Sequence, residues 1–240
     1  MKILIAGDSW GCGEWSVDEP RDTDCIYFGK FTSIAHKGLE QYLLDDGHSV
    51  TNLSIPGGTF RTTLESLQLE NGTYDAKFVF VTDAFRGVTK HHDVPAFRYK
   101  HNWFWTPEHS PQFYKDLYQR NIREFVDTLS HLKASRGPIY LIGGLSKVSY
   151  ETTNVKVAIP SMLELIVPGT TQYDTFFLYY HHDLTRENAN KETIDYVWEQ
   201  NKSWLMYSRH DMLKPDNHHP NREAHLIAYK HLLEHGFIKN

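Results

Sequence analysis

The chain has 240 residues, 25 Lys+Arg against 30 Asp+Glu, and a formal net charge of −5. Hydrophobic residues make up 40% and charged residues 23%, an ordinary globular balance that excludes wholesale disorder. An acidic chain with no Lys/Arg block is a poor phosphate binder, so no nucleic-acid partner is expected. Two cysteines, Cys12 and Cys25, exclude a disulfide scaffold and a four-cysteine zinc site. The apolar run at 3–6 is too short for a signal-peptide core or a membrane span, which predicts a cytoplasmic protein with no membrane partner.

In chain order, short apolar runs at 2–6, 48–53, 77–82 and 138–142 are rich in β-branched or aromatic residues and apolar on both faces. They read as strands of a covered parallel sheet. Between them, 28–44 has helical spacing (Phe31, Ile34, Ala35, Leu39, Tyr42, Leu43) and Gly47 stops it; 59–69 and 111–132 read the same way. Alternation of β and α at this rhythm predicts βαβ units in one α/β domain over 1–240. Two stretches break the rhythm as long insertions, 88–110 and 144–173, with a short helix expected at 159–166. An extra helix is expected at 185–207, and 221–234 closes the chain as a helix with Ala224, Ile227, Ala228 and Leu232 on one face.

The first strand runs directly into Gly7-Asp8-Ser9-Trp10-Gly11. A serine just past the C-terminal end of a buried parallel strand lies where open α/β sheets bind ligands, and flanking glycines allow a tight turn. Such a serine can equally be a helix N-cap. Near the other end, Pro215-Asp216-Asn217-His218-His219-Pro220 sets a carboxylate three residues before an imidazole. A serine needs a base to take its proton, and the imidazole needs a carboxylate to orient it. Asp216 and His219 could supply both, or Asp216 could cap a turn and His219 lie on the surface. No Gly-x-x-x-x-Gly-Lys-Ser/Thr loop occurs, and the His91-His92-Asp93 and His181-His182-Asp183 clusters lack a conventional zinc motif, so no metal or cofactor is expected.

Together the two ends resemble the SGNH (GDSL-type) hydrolases, a family of esterases, lipases and acyltransferases. Gly7-Asp8-Ser9 matches its first block and Asp216-x-x-His219-Pro220 its last. Asn52, followed five residues later by Gly57, resembles the block that donates a backbone N–H to the oxyanion. The resemblance implies a flavodoxin-like three-layer α/β/α sandwich with a parallel sheet of about five strands. It implies Ser9, Asp216 and His219 as the catalytic triad, and the backbone N–H groups of Ser9 and Gly57 as oxyanion donors. The substrate it implies is a small-molecule or carbohydrate ester with a short acyl group such as acetyl.

One block departs. Where the family has Gly-x-Asn-Asp, this chain reads Val81-Thr82-Asp83-Ala84-Phe85-Arg86. An ionised Asp83 accepts hydrogen bonds and cannot hold an oxyanion, and one missing donor costs roughly 10²–10³ in turnover. Arg86, Thr82 or Asn52 could fill the gap, or Asp83 could be structural. Trp10, Asn52, Trp103 and Trp105 are candidates for the substrate pocket. The rival reading is a non-catalytic module that binds a glycan or a protein, and the same triad could also serve an acyltransferase. The N-terminal segment resembles in style SGNH-like proteins of tailed phages, which would place the protein inside a host or on a virion. Oligomeric state is not legible.

Overall fold

The computed structural model describes residues 1–17, 31–81, 98–99, 102–103, 111–132, 137–144, 147–166 and 219–239. Five strands form a parallel sheet: β1 (Lys2–Ala6), β4 (Ser49–Asn52), β5 (Ala76–Val81), β8 (Ile139–Gly143) and β9 (Val155–Ile159), in the spatial order β4-β1-β5-β8-β9. Counting sheet strands alone, the order is 2-1-3-4-5. This is the flavodoxin-like order, in which the direction of winding reverses between the first and third strands. A second, antiparallel pair joins β2 (Glu14–Val17) to β3 (Phe31–His36), and β6 (Arg98–Tyr99) pairs with β7 (Asn102–Trp103).

The sheet is covered on both faces, so its central strands are largely buried, and all six residues of β5, Lys77 included, are buried. Successive side chains take opposite faces. Ile3, Ile5, Phe78, Phe80 and Ile142 pack with Leu39 and Leu43 of α2 (Leu39–Asp45), Met162 and Leu163 of α5 (Met162–Ile166), and Ala228 and Leu232 of α6 (Arg222–Glu234). Leu4, Ala6, Val79, Val81 and Leu141 pack on the other side with Leu67 of α3 (Phe60–Leu69) and Ile122, Phe125, Val126 and Leu129 of α4 (Pro111–His131). These are the two outer layers of the expected sandwich. No helix among the described residues is long and apolar enough to cross a membrane.

Two expectations are corrected. The stretch 28–44 is not one helix: Phe31–His36 is strand β3, and the helix begins only at Leu39. Between them Gly38, at φ +58°, lies so close to the His225 ring that a Cβ there would sit 2.7 Å from it. The connection at 144–173 is likewise not a plain insertion, since it contains the fifth strand, β9, and then α5. β9 is an edge strand with an uneven burial pattern in which Lys156 faces solvent, so it lacks the continuous apolar signature of its neighbours. The expected helix at 185–207 lies outside the described residues.

Candidate active site

Chain reversal after β1 is tight. Gly7 has φ +137°, and a Cβ there would come within 2.7 Å of Phe80 Cβ and 2.8 Å of Phe80 O, so β1 can leave the sheet beside β5 only through glycine. The four-residue helix α1 (Ser9–Cys12) follows at once. Its cap is Asp8, whose Oδ1 accepts the Trp10 N–H at 3.0 Å. The capping role therefore falls to the residue before the serine, and the Ser9 hydroxyl engages another group. Ser9 Oγ and His219 Nε2 are in hydrogen-bond contact at 2.8 Å across 210 residues of sequence.

His219 stands just before Pro220, in the irregular segment leading to α6, whose cap Asn221 accepts the Ala224 N–H at 3.1 Å. The Trp15 indole touches both partners. Its Nε1–H donates to the Ser9 carbonyl at 3.1 Å, and its ring lies 5.7 Å from the His219 ring, tilted by 44°.

The loop after β4 is fastened to the same turn. Leu53 N–H donates to Ile5 O at 2.8 Å, and Ile55 N–H to Gly7 O at 3.0 Å. Gly57, at φ +70°, occupies an exposed turn, and the buried Gly58 packs so tightly that a Cβ would lie 2.8 Å from Ile55 O and 3.0 Å from Gly7 O. The segment expected to carry an oxyanion donor thus runs beside the Ser9 turn.

Two pocket candidates turn out to have other work. Trp10 is 2% exposed and belongs to the core packed on Phe80 and Leu39, so it does not wall a cleft. Asn52 spends its amide on structure: Nδ2–H donates to Gly11 O at 2.9 Å and to Glu40 Oε2 at 3.0 Å, and Oδ1 accepts the Ser54 N–H at 3.0 Å. It fixes α1 against β4 and α2 and has no amide hydrogen aimed at an oxyanion. Trp103 lies in β7. Asp216, Asp83, Arg86, Thr82 and Trp105 lie outside the described residues, as do the His91-His92-Asp93 and His181-His182-Asp183 clusters.

Two other side chains near the site could compete for its chemistry, and their surroundings exclude both. Burial, followed by the Asp8 and Glu40 carboxylates, pushes the Cys12 thiol up to about 12, so it stays protonated and is a poor nucleophile. His225 is completely buried. Burial first and the neighbouring His36 second hold its pKa down to about 3, against smaller opposing effects of Glu14 and the Gly13 backbone. It is a neutral packing residue sealed from any substrate.

Sequence reasoning missed Trp15, which touches both Ser9 and His219, and Glu14, Arg222 and Tyr42, which meet at the start of α6. Both Glu14 oxygens accept from Arg222: Oε2 takes the backbone N–H at 2.7 Å and Nε–H at 2.9 Å, and Oε1 takes Nη2–H at 3.0 Å. Tyr42 Oη donates to Arg222 O at 2.9 Å. No motif spacing announces contacts between residues 180 and 208 positions apart.

The fold is similar over its whole length to two solved structures. One is the lipase/acylhydrolase from Enterococcus faecalis, at 13% identity and TM-score 0.40, covering 100% of this chain and 98% of that one. The other is the acetylxylan esterase from Geobacillus stearothermophilus, at 18% identity and TM-score 0.42, covering 99% and 94%. No family model matches the chain, and no curated protein matches it. The likeness is one of fold.

Proposed function

We propose that the chain is a serine esterase of the SGNH type that cleaves a short-acyl ester, with acetyl esters, including those on carbohydrate, as its first substrate class. The observation that carries this reading is the 2.8 Å contact between Ser9 Oγ and His219 Nε2, at the carboxyl end of the first strand. Ser9 attacks the ester carbonyl carbon while His219 takes the hydroxyl proton, giving a tetrahedral intermediate. His219 then returns that proton to the leaving alcohol as the acyl-enzyme forms. A water, deprotonated by the same imidazole, attacks the acyl-enzyme and releases the acid and free Ser9.

Asp216 is assigned, on the sequence block alone, to orient His219 and stabilise its imidazolium form. The N–H groups of Ser9 and Gly57 are assigned to the oxyanion. The third donor is sought in Arg86, whose charge is permanent, rather than in Asp83, whose carboxylate would repel the oxyanion.

The test is hydrolysis of p-nitrophenyl acetate and butyrate by the wild type beside Ser9→Ala and His219→Ala. Each substitution is expected to remove turnover by roughly three orders of magnitude or more while the fold is retained. The acetate-to-butyrate ratio bounds the acyl pocket. Equal rates in wild type and Ser9→Ala, together with no labelling of Ser9 by a serine-reactive phosphonate, would overturn the esterase reading in favour of a binding module.

A further inference from the structure

His219 is held by no strand or helix of its own, so the sheet that places Ser9 does not by itself place the imidazole. Strand β2 contacts both the Ser9 turn and the segment that carries His219. Trp15 faces them both, with its indole N–H on the Ser9 carbonyl and its ring against the imidazole. Glu14, the adjacent residue, grips the other end of the His219 segment through Arg222, three residues on and the first of α6.

The grip differs from an ordinary surface ion pair. A helix leaves its first N–H groups without intrahelical partners. Here the Arg222 N–H is taken by a carboxylate from a distant strand, so Glu14 fixes main chain as well as side chain. Its own side chain is 12% exposed, against 49% for Arg222. Tyr42, from α2, holds the Arg222 carbonyl from the other side. The start of α6 is thereby fixed in two directions, and His219 lies one short, proline-restricted step away.

We propose that Glu14 and Trp15 are positioning residues for the Ser9–His219 pair, Glu14 by fixing the start of α6 through Arg222 and Trp15 by bridging the Ser9 carbonyl and the His219 ring. The kinetic part rests on the esterase reading, and the spectroscopic part does not.

The experiment compares wild type, Glu14→Gln, Glu14→Ala, Trp15→Phe and His219→Ala in p-nitrophenyl acetate kinetics, phosphonate labelling of Ser9, and indole emission. Glu14→Ala is expected to lower kcat and labelling by about 10- to 100-fold, the scale on which an ångström of misplacement acts. KM is expected to stay within about twofold, because substrate binding is untouched. Glu14→Gln keeps one carbonyl acceptor for the Arg222 N–H but loses the charge and the second acceptor, so its fall should be smaller than that of Glu14→Ala.

The emission of an indole reports on the ring packed against it. The Trp15 emission, isolated as the signal lost in Trp15→Phe, should shift in His219→Ala, where the ring is gone, and shift in the same sense in Glu14→Ala as the imidazole leaves the indole. Wild-type kinetics together with an unchanged Trp15 emission in Glu14→Ala would overturn the proposal. If Glu14→Ala does not fold, Glu14→Asp replaces it, since the shorter carboxylate keeps the charge but falls short of the main chain. A wild type inert to every ester and to the phosphonate, whose Trp15 emission still shifts in Glu14→Ala as it does in His219→Ala, would sink the esterase reading and leave the positioning role standing.

Discussion

At the scale of single residues, the turn after β1 shows how backbone geometry selects chemistry. A four-residue helix must open directly beneath β5, and Gly7 and Asp8 together make that possible, one by lacking a side chain and the other by capping. Gly7→Ala would force a Cβ to within 2.7 Å of Phe80 and would strain a backbone at φ +137°. The expected cost is roughly 1–3 kcal/mol or more, read as a lower urea midpoint. Because Ser9 rides on the same turn, turnover should fall further than the loss of folded protein explains. A Gly7→Ala protein with wild-type stability would show that the turn relaxes easily and that this close approach is unimportant.

At the scale of elements, the three central strands β1, β5 and β8 were legible because burial on both faces leaves a continuous apolar run, and the edge strand β4 because Val50 and Thr51 are β-branched. α3 and α4 were legible because one apolar stripe repeats at helical spacing. β3 was not, since Phe31, Ile34 and Ala35 satisfy helical spacing as well, and strand pairing with β2 is a non-local fact that overrides it. β9 was missed because Lys156 interrupts its apolar run within a stretch that reads as one long connection. The Ser9 and His219 ends of the site were readable because their blocks are local, whereas Glu14 and Trp15 act only through pairs that folding creates.

Capping gives this scale its own test. Thr59 and Asn221 cap α3 and α6, accepting from Thr62 N–H at 3.2 Å and Ala224 N–H at 3.1 Å. Thr59→Ala and Asn221→Ala should each cost about 1 kcal/mol in urea unfolding. Only the second also loosens the segment that carries His219, so turnover of p-nitrophenyl acetate should fall in Asn221→Ala and hold in Thr59→Ala. Equal turnover in both variants would mean that Glu14 and Tyr42 fix the start of α6 without help from its cap.

At the scale of the whole molecule, the two ends of the chain meet at the switch point of a 2-1-3-4-5 sheet, and the groups that lock them together respond to pH in the same sense. His225, on α6, is buried against Gly38 and Phe80 and faces His36, Glu14 and His219. Its folded pKa of about 3 lies below the ordinary histidine value of 6.5, so the unfolded chain binds the proton first. Stability is therefore complete above pH 6.5 and is lost as pH falls from there toward 3, at up to about 1.4 kcal/mol per pH unit. Glu14 acts lower down. Burial alone would raise its carboxyl, but the Arg222 hydrogen bonds and charge, with His36 behind them, outweigh burial and hold it below the ordinary value of 4.5. Its contribution is present above 4.5 and is lost as the carboxylate protonates below that value. Urea unfolding of wild type and His225→Leu at pH 7.5, 6.5, 5.5 and 4.5 separates the two. The wild type should hold its stability from pH 7.5 to about 6.5 and lose it below, whereas His225→Leu, which fills the same space and cannot titrate, should be flatter down to about pH 5. Parallel curves would show that protonation of His225 does not set the acid limit and that other groups carry it.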